Sequence, residues 1–524
     1  MIFSKLKSLS LHRILFSVLF SVINLFIFYI QHDDVHYLVF VANMPILTAI
    51  VYFLTGKLLQ YCHKKNHIYS DIAENISAKQ YFWRVSLILF VSWLPIFLAY
   101  YPGIFSYDVQ YQIPQANTGY LNWQPLTHTL LIQFFYYIIG GKLFCNYNVG
   151  IAIATVFQMG LFAMMLSFLH LYLYKCRLKK SIRYVLIGLT AILPQFSMLA
   201  ISVTKDTLFS GFCVVFLTTL LFEENFANNQ YRKMLTVVSI LSGIAVVLFR
   251  SNGIFPMIAI LLYSLYKFFF QRKKQLLLHM IIIVLTAVVM QNLLTVVLSA
   301  EKNPKNEMLS VPYQQIAGVY YDNYNSLTDE EKKYIEYLFP TLERYQPKIS
   351  DSIKNFSKGQ KDMKTLISFY FKLGIKYPYT YIKSFCHLNA GYLSVTDITY
   401  SEIYGKSMRQ GVLLSDTKEG FDIDHYSLLP IVEDSYELLY TDNQYIHIIG
   451  LNLLLSPAFY FWITVLLFIE AFVCQKKKTL PLILFSGTLI LTILFGPCSL
   501  VRYALAFEVC LPLLFVTVFN KTEE

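Results

Sequence analysis

Charged residues are scarce in this sequence. Asp, Glu, Lys and Arg make up 14% of its 524 residues, whereas soluble globular domains average about 25%. That shortage, together with a hydrophobic content of 56%, excludes a disordered chain and an ordinary soluble enzyme. The eight cysteines include no CxxC pair and no Cys/His cluster, so neither a disulfide framework nor a zinc signature is present. A glycine-rich nucleotide-binding loop is also missing, and the sequence supports no metal or other cofactor.

Long apolar runs dominate the chain instead. A hydrocarbon core about 30 Å thick requires roughly 20 apolar residues in a helix, and the sequence contains about twelve runs near that length. The first run has a basic lead (Lys5, Lys7 and Arg13) but no small-residue cleavage site after it, which favours an uncleaved anchor over a signal peptide. We therefore predict an all-α, polytopic membrane helical bundle of about twelve spans. The predicted spans are 13–30, 36–56, 82–101, 150–174, 183–201, 207–222, 234–249, 254–271, 276–299, 447–473, 479–497 and 503–520.

The distribution of Lys and Arg predicts the orientation. With the N-terminus inside, the short basic connections such as KCRLKKSIR and QKKK all lie on the cytoplasmic side, and so do both termini. Outside the large loop 300–446, only Lys142, Lys205, Arg250 and Arg502 fall on the outer side. Basic turns beside anionic lipid explain the formal net charge of +11. We therefore predict contact with membrane lipid and no nucleic-acid partner.

The spans divide the chain into four predicted regions. Residues 1–81 form two spans and a basic cytoplasmic linker. Residues 82–299 form a transmembrane module with an outer loop at 102–149. An extracytoplasmic, mostly helical domain at 300–446 separates spans nine and ten, and residues 447–524 form the three last spans.

Helix signals occur in both predicted outer loops. The segment 328–331 is a capping box, and the helix that it opens should stop near Pro340. Segments 359–376 and 378–393 show helical periodicity. Segment 125–143 is apolar enough for a span, but a span there would invert every later loop. We therefore predict that 125–143 is a helix lying along the outer surface.

Several polar residues at the outer rim are not explained by the membrane. Asp108 follows an outer helix end and a Pro-Gly turn, where a carboxylate can act as a general base or simply cap a helix. Lys205 and Asp206 stand at the start of the sixth span, where free N–H groups and an adjacent cation suit a phosphate. The alternative for Asp206 is an ordinary ion pair in the first helical turn.

Arginines lie at two further outer rims. Arg250 and Arg502 are either snorkelling anchors or, together with Lys205, a collected anion site, since guanidinium grips phosphate with two nitrogens. Glu508 lies inside the last span, where an acid indicates function or a buried pair. His128 has no second histidine beside it, so it predicts no metal site. The pair Asp422/Asp424 has a D-x-D pattern that often occurs by chance.

The motifs in order resemble a known group of proteins. YPGIFSYDVQYQ, QPLTHTLL, TKDTLF, FRSNG, EMLSVPYQQIAGVY, RYQPKISDSIK and a terminal RY resemble an uncharacterised family of bacterial multi-pass membrane proteins. That family is similar to the GT-C superfamily of integral-membrane glycosyltransferases, and the resemblance covers about 82–520. It implies a helical bundle in the bacterial cell membrane whose first large outer loop carries a catalytic acid. Two extra spans precede that loop here, and Gln124 stands where a His-Pro pair is more usual.

The resemblance also implies the chemistry. Donors in such enzymes are sugars on polyprenyl phosphate, and the acceptor would be an extracytoplasmic glycan, lipid or protein. Inverting single displacement needs a carboxylate to take the acceptor proton and cations to hold the leaving phosphate. We predict Asp108 as the base. The predicted donor-binding residues are Lys205, Asp206, Arg250, Asn252 and Arg502, with Gln124, His128 and Glu508 in supporting positions.

Two other functions remain open at this point. A polysaccharide polymerase of similar topology would join lipid-linked oligosaccharides. A transporter or flippase for a lipid-linked or anionic substrate would also suit about twelve spans, although it should show charged or broken helices near the membrane midplane. Cys145 and Cys386 are both predicted to face outward, and the sequence does not decide whether they pair.

Overall fold

A computed structural model of the chain is almost entirely helical. Among the residues that it describes there is no strand, and only isolated backbone bridges link separate loops. The described residues are 2–32, 37–70, 76–104, 107–226, 229–301, 308–358, 363–397, 423–438, 448 and 450–520.

The helices before the large loop follow one another with short connections. A single-turn helix at Gln115–Thr118 and a 3-10 turn at Ser251–Gly253 lie between longer elements. These longer elements are α1 (Ile2–Gln31), α2 (Tyr37–His63), α3 (Ala78–Ala99), α4 (Tyr107–Gln112), α5 (Leu126–Gln133, continued by a π-helix at Phe134–Leu143), α6 (Tyr147–Lys175), α7 (Lys180–Ile192), α8 (Pro194–Ile201), α9 (Lys205–Asn225), α10 (Asn229–Phe249), α11 (Ile254–Gln271) and α12 (Lys274–Val297).

The described parts of the large loop are helical and have their own hydrophobic cluster. The capping box is confirmed, because the Thr328 hydroxyl accepts from the Glu331 N–H and the Glu331 carboxylate accepts from the Thr328 N–H. The helix that it opens ends at Leu338, two residues before Pro340. The elements here are α13 (Ser310–Asp322), α14 (Asp329–Leu338), α15 (Met363–Lys376) and α16 (Pro378–Leu388), with short helices at Asp351–Lys354, Ala390–Leu393 and Pro430–Tyr436.

The chain ends in helices α17 (Pro457–Val473), α18 (Leu480–Leu494) and α19 (Val501–Phe519). Helix α19 packs against α9, α17 and α18. Helices α9 and α19 are the most buried candidate spans, with 78% and 72% of an apolar 18-residue stretch buried inside the structure. The corresponding shares in α2 and α12 are only 11% and 17%. Helices α9 and α19 therefore form the centre of the bundle, and the exposed apolar faces of α2 and α12 suit contact with lipid.

The number of apolar helices indicates a multi-pass membrane protein. Within the described part of the chain, ten helices are long and apolar enough to cross a membrane, namely α1, α2, α3, α6, α9, α10, α11, α12, α18 and α19.

Two predicted spans differ from a single long helix. The run at 183–201 is broken into α7 and α8, which meet at 50°, because Pro194 has no N–H to continue the helix. The run at 447–473 has a short helix at Leu451–Leu455 and then the 17-residue helix α17 from Pro457, which is about 25 Å long at a rise of about 1.5 Å per residue. The bent pair counts as an eleventh span if α7 and α8 cross together, and the count of twelve remains a prediction.

Candidate active site

The ends of three central helices meet at one end of the bundle. Helix α9 begins at Lys205, α10 ends next to Arg250, and α19 begins beside Arg502. Helices α9 and α10 are consecutive and packed together, so the end of one lies beside the start of the other. The loop helix α4 adds Asp108 to this group. Residues that are up to 394 positions apart in the chain are thus brought into contact.

Asp108 lies at the centre of the group. Its Oδ2 is 3.1 Å from Lys205 Nζ and 3.1 Å from Arg502 Nη1. Its Oδ1 accepts a hydrogen bond from Gln124 Nε2 at 3.2 Å. One carboxylate therefore contacts two cations and one amide, which is the arrangement of a shared acceptor rather than of a solvated loop acid.

Gln124 contacts the cluster directly, although the sequence placed it only in a supporting position. Its Oε1 accepts from Lys205 Nζ at 2.6 Å while its Nε2 donates to Asp108. Gln124 is only 2% exposed, and its side-chain amide has both a donor and an acceptor. It therefore fixes the relative position of the acid and the lysine.

Asp206 holds the two arginines. Its Oδ1 is 2.7 Å from Arg250 Nη1, and its Oδ2 is 3.7 Å from Arg502 Nε. The Asp206 side chain is fully buried, and Thr204 caps α9 by accepting from the Asp206 N–H. An acid in the first turn also complements the helix dipole. The alternative of an ion pair in the first turn is therefore realised, and that ion pair also orients both guanidinium groups.

Tyr503 completes the setting of the arginines. The guanidinium carbon of Arg250 lies 4.4 Å from the centre of the Tyr503 ring, and that of Arg502 lies 5.2 Å from it. A cation over an aromatic ring is attracted by its quadrupole. Tyr503 directly follows Arg502 in the sequence, so its ring could be expected near that arginine. Its contact with Arg250 depends on the packing of the helices.

Backbone contacts align the two segments that carry Asp108 and Lys205. The Ile104 N–H donates to Ile201 O, and the Val203 N–H donates to Ile104 O, both at 3.0 Å. Gln158, an amide within the apolar helix α6, donates to the carbonyl groups of Ala200 and Ser202. A lone amide in an apolar span is a sequence signal for such a contact, although Gln158 is not among the predicted site residues.

Gly103 allows the chain to turn toward Asp108. It has a φ of 122° and lies so close to helix α6 that a Cβ there would come within 2.2 Å of Thr155 Oγ1. Only glycine adopts this conformation without strain. The Pro-Gly turn predicted from the sequence is therefore a close approach to α6 as well as a turn.

Tyr392 fixes the start of α19. Its hydroxyl accepts from the Leu500 N–H at 2.7 Å and donates to Leu500 O at 3.0 Å. The ring is 2% exposed. Because Leu500 stands two residues before Arg502, the large loop helps to position this arginine. No pattern in the sequence pointed to Tyr392.

The cluster carries an excess of positive charge. Three cations (Lys205, Arg250 and Arg502) face two carboxylates (Asp108 and Asp206). The cluster is partly open, since the side chains of Asp108 and Lys205 are each 13% exposed and that of Arg502 is 21% exposed. A small anionic group can therefore reach the cations and balance the remaining charge.

The cations keep Asp108 ionised. Burial by itself would raise the pKa of the Asp108 carboxyl, but the charges of Lys205 and Arg502 and the hydrogen bonds from Lys205 and Gln124 outweigh it. Together they hold the pKa well below its usual range. Asp108 is therefore an ionised acceptor in this state.

His128 lies behind the cluster. It is fully buried, its Nδ1 is 2.9 Å from Gln112 Oε1, and its Nε2 has no hydrogen-bond partner among the described residues. Burial, with a smaller contribution from Lys205, lowers the His128 pKa to about 3. The imidazole is therefore neutral at pH 7 and supports the site without joining it.

Two other predicted residues lie outside the cluster. The Asn252 amide donates to Thr492 Oγ1 of α18 at 3.3 Å, and its Oδ1 is buried without a hydrogen-bond partner in the described structure. Glu508 is 4% exposed on α19, and its Oε2 is likewise unpartnered among described residues. The structure therefore does not join Asn252 or Glu508 to the acid–cation cluster.

One group of side chains elsewhere has the spacing of a metal site. Ligand atoms of His63, Glu470 and Cys474 all lie within 4.8 Å of one another. His63 Nε2 is 2.7 Å from Glu470 Oε1, so a hydrogen bond between helix ends accounts for the contact. All eight cysteines lie in the described parts of the chain and are free thiols, with Cys145 exposed and Cys386 buried. Asp422 lies outside the described residues.

Comparison with known proteins gives a family and no activity. No curated protein and no solved structure matches the chain. A model described as "Family of unknown function (DUF6020)" matches residues 110–524. This segment begins two residues after Asp108 and contains every other member of the cluster. Because it covers most of the sequence, the chain belongs to the DUF6020 family of unknown function.

Proposed function

We propose that this protein is a GT-C-like membrane glycosyltransferase. It would transfer a sugar from a polyprenyl-phosphate donor to an acceptor at the outer face of the bacterial cell membrane. The observation that carries the proposal is the contact of one carboxylate, Asp108, with Lys205 and Arg502 in a partly open site of net positive charge. This is the set of groups that the reaction needs.

The donor phosphate would bind the three cations. Arg250 and Arg502 are already oriented by the buried Asp206, and Lys205 is held by Gln124. Guanidinium groups bind phosphate oxygens with two nitrogens, and preorganised cations stabilise charge that develops on a leaving group. The polyprenyl chain would extend into the membrane between the helices.

The reaction would proceed in one displacement. The acceptor hydroxyl oxygen forms a bond to the anomeric carbon, and the bond from that carbon to the phosphate oxygen breaks with its electron pair going to the phosphate. The hydroxyl proton goes to the Asp108 carboxylate. Attack on the face opposite the phosphate inverts the anomeric configuration.

Donor binding would also activate the base. With Lys205 and Arg502 on both sides, Asp108 binds a proton poorly, as its lowered pKa indicates. A phosphate that takes over these two cations brings negative charge close to Asp108 and raises its pKa. Asp108 would thus become an effective base only when the donor is bound.

The direct experiment measures release of polyprenyl phosphate. Purified protein is incubated with polyprenyl-phosphate sugars and a cell-envelope extract as acceptor. We expect release by the wild type and a loss of at least about 100-fold in Asp108→Asn, which is typical when a positioned general base is removed. Asp424→Asn, a change at an exposed acid outside the cluster, is the matched control. Full turnover by Asp108→Asn in correctly folded protein would contradict the assignment.

Sidedness can be tested with a native residue. Cys145 is exposed and lies two residues after the end of the π-helix that continues α5, in the predicted outer loop. We expect a membrane-impermeant maleimide to label Cys145 in intact cells and Cys145→Ser to abolish that labelling. Labelling of Cys145 only after lysis would place the cluster on the cytoplasmic face and remove the proposed donor orientation.

A transporter is the second candidate, and two observations favour it. Glu508 is a buried carboxylic acid within α19 with an unpartnered oxygen among described residues, and helices α7 and α8 form a span broken by 50°. Buried acids and broken helices are typical of transport sites. A transporter would move a lipid-linked sugar across proteoliposomes without forming a glycosidic bond, and Glu508→Gln would reduce that movement.

A further inference from the structure

A large cavity lies at the end of the bundle opposite to the acid–cation cluster. It has a volume of about 1190 Å³ and is lined by the end of α9, the start of α10, the end of α11 and the start of α12. Helix α9 has 21 residues, so its two ends are separated by about 30 Å at a rise of about 1.5 Å per residue. That is the thickness of the hydrocarbon core. The cavity is therefore separate from the candidate active site and lies at the opposite end of α9.

The mouth of the cavity is strongly basic. Its cations lie near the start of α10 and around the turn between the end of α11 and the start of α12. Against them stand two carboxylates, Glu223 and Glu224, and the Glu223 carboxylate accepts a hydrogen bond from Thr236. The cations are Arg232, Lys233, Lys267, Arg272, Lys273 and Lys274.

The starts of α10 and α12 are held next to each other. Arg232 Nη2 donates to Gln275 Oε1 at 2.6 Å, across 43 positions of sequence. Basic turns on a cytoplasmic face are expected in membrane proteins. Two such basic segments around one concave space are not expected, because like charges repel unless an anion lies between them.

The walls of the cavity are apolar. Leu220, Val237, Ile260 and Leu276 line it beside the charged residues. An inorganic anion or a soluble phosphate ester would make no use of these side chains. An anionic phospholipid would, since its phosphate suits the cations and its acyl chains suit the apolar wall between the helices.

We propose that this cavity binds an anionic diacyl phospholipid, with its phosphate among Lys233, Arg272 and Lys274 and an acyl chain against Val237 and Leu276. The lipid would hold the start of α10 next to the α11–α12 turn by neutralising their cations. Because α9 and α10 also carry Lys205 and Arg250 at their far ends, the lipid would stabilise the helices that form the candidate active site. The proposal does not depend on the chemistry that occurs there.

The test measures lipid binding to delipidated full-length protein in detergent. Native mass spectrometry would follow titrations with phosphatidylglycerol, phosphatidylcholine and inorganic phosphate. We expect saturable binding of phosphatidylglycerol with a rise in melting temperature, and no comparable effect from the other two. Equal binding of phosphatidylcholine would show that the headgroup charge does not contribute to binding. An equal effect of inorganic phosphate would show that the acyl chains do not contribute to binding. Either result would overturn the proposal.

A pair of matched triple variants locates the site. Lys233→Gln/Arg272→Gln/Lys274→Gln should weaken phosphatidylglycerol binding on the order of 100-fold, since each cation near an anionic lipid contributes about fivefold. Lys64→Gln/Lys180→Gln/Lys477→Gln removes the same charge from exposed positions in other basic turns and should keep wild-type affinity. Equal losses in both triples would mean that total surface charge, and not the cavity, attracts the lipid. Melting curves without lipid check that each variant is folded.

Discussion

The carboxylate of Asp108 and the guanidinium of Arg502 lie 3.1 Å apart although 394 positions separate them in the chain. Arg502 also reaches Asp206 through its Nε at 3.7 Å. The same side chain therefore links a loop acid to a buried acid at the start of α9. This link joins the first outer loop, the centre of the bundle and the last helix into one site.

We expect Arg502→Lys to lose this bridging function. Lysine has one nitrogen and no planar fork, so it cannot contact both acids in the way that Nη1 and Nε do. Release of polyprenyl phosphate should fall at least about tenfold, which is the loss of one charge-assisted hydrogen bond. Arg344→Lys, in the large loop with its guanidinium on Phe356, should keep wild-type turnover. Unchanged release by Arg502→Lys would mean that only the charge at this position matters.

Gln124 offers a test of an amide that both donates and accepts. In Gln124→Glu the donor to Asp108 is replaced by an acceptor, so two carboxylates would face each other where a 3.2 Å hydrogen bond now lies. We expect turnover to fall by about 100-fold. Gln124→Met removes both hydrogen bonds without adding charge and should cost about tenfold. Wild-type turnover in Gln124→Met would show that Gln124 fills space only.

Asp206 should be the most important member of the cluster for stability. It is fully buried and holds Arg250 at 2.7 Å, so Asp206→Asn leaves the Arg250 guanidinium without its anion and leaves Arg502 with Asp108 alone. Removing one partner of a buried ion pair costs about 3–5 kcal/mol. A large drop in melting temperature in detergent is therefore expected. Asp322→Asn breaks a partly exposed pair with Lys383 and should cost less than about 1 kcal/mol.

Acid should destabilise the protein through His128. Its pKa is lowered from 6.5 to about 3 in the folded state, so below about pH 6.5 the unfolded chain takes up a proton that the folded protein does not. The free energy of unfolding should therefore fall by up to about 1.4 kcal/mol for each pH unit between about pH 6.5 and pH 3. Asp108, whose pKa is also lowered, loses its contribution only at more acidic pH.

The check is the pH dependence of the melting temperature from pH 8 to pH 5. In His128→Gln, the melting temperature should depend less steeply on pH, because the unfolded chain then takes up one proton fewer. The melting temperature at pH 8 gives the cost of the substitution itself. His387, whose burial lowers its pKa to about 4, should give a second, additive decrease in slope. A wild-type slope in His128→Gln would contradict the buried neutral imidazole.

The capping box of α14 predicts a local effect. Thr328→Ala removes the hydroxyl that accepts from the Glu331 N–H and should destabilise the helix by about 1 kcal/mol. Thr328→Ser keeps the hydroxyl and should retain most of the stability. Hydrogen exchange of residues 329–338 measures the change, and no loss of protection in Thr328→Ala would show that packing alone holds the helix.

Much of the architecture could be predicted because membrane helices satisfy their backbone groups locally. Each long apolar run became helix, and the capping box at Thr328 was readable from four residues. The break at Pro194 and the late start of α17 at Pro457 were also visible as prolines. Both prolines interrupt runs that are continuous in mean hydropathy, because mean hydropathy does not record a missing N–H.

Local signals also marked several residues of the candidate site. Asp108, Lys205, Asp206, Arg250 and Arg502 stood out because charge is costly at the rim of an apolar bundle and each cation opposed the expected bias. The sequence alone therefore determined that this is a helical membrane protein with unusual charges at predicted outer helix ends. Which charges meet depends on how helices from distant parts of the chain pack, and that was decided only in three dimensions.

The tertiary structure decided the partners. It made Gln124 the link between Asp108 and Lys205, placed Tyr503 under two arginines, and fixed Leu500 with Tyr392 from the large loop. It also left Asn252 and Glu508 outside the cluster. The physical reason is that the energy of a charge depends on its neighbours and its burial, and both are properties of the packed bundle rather than of any segment of sequence.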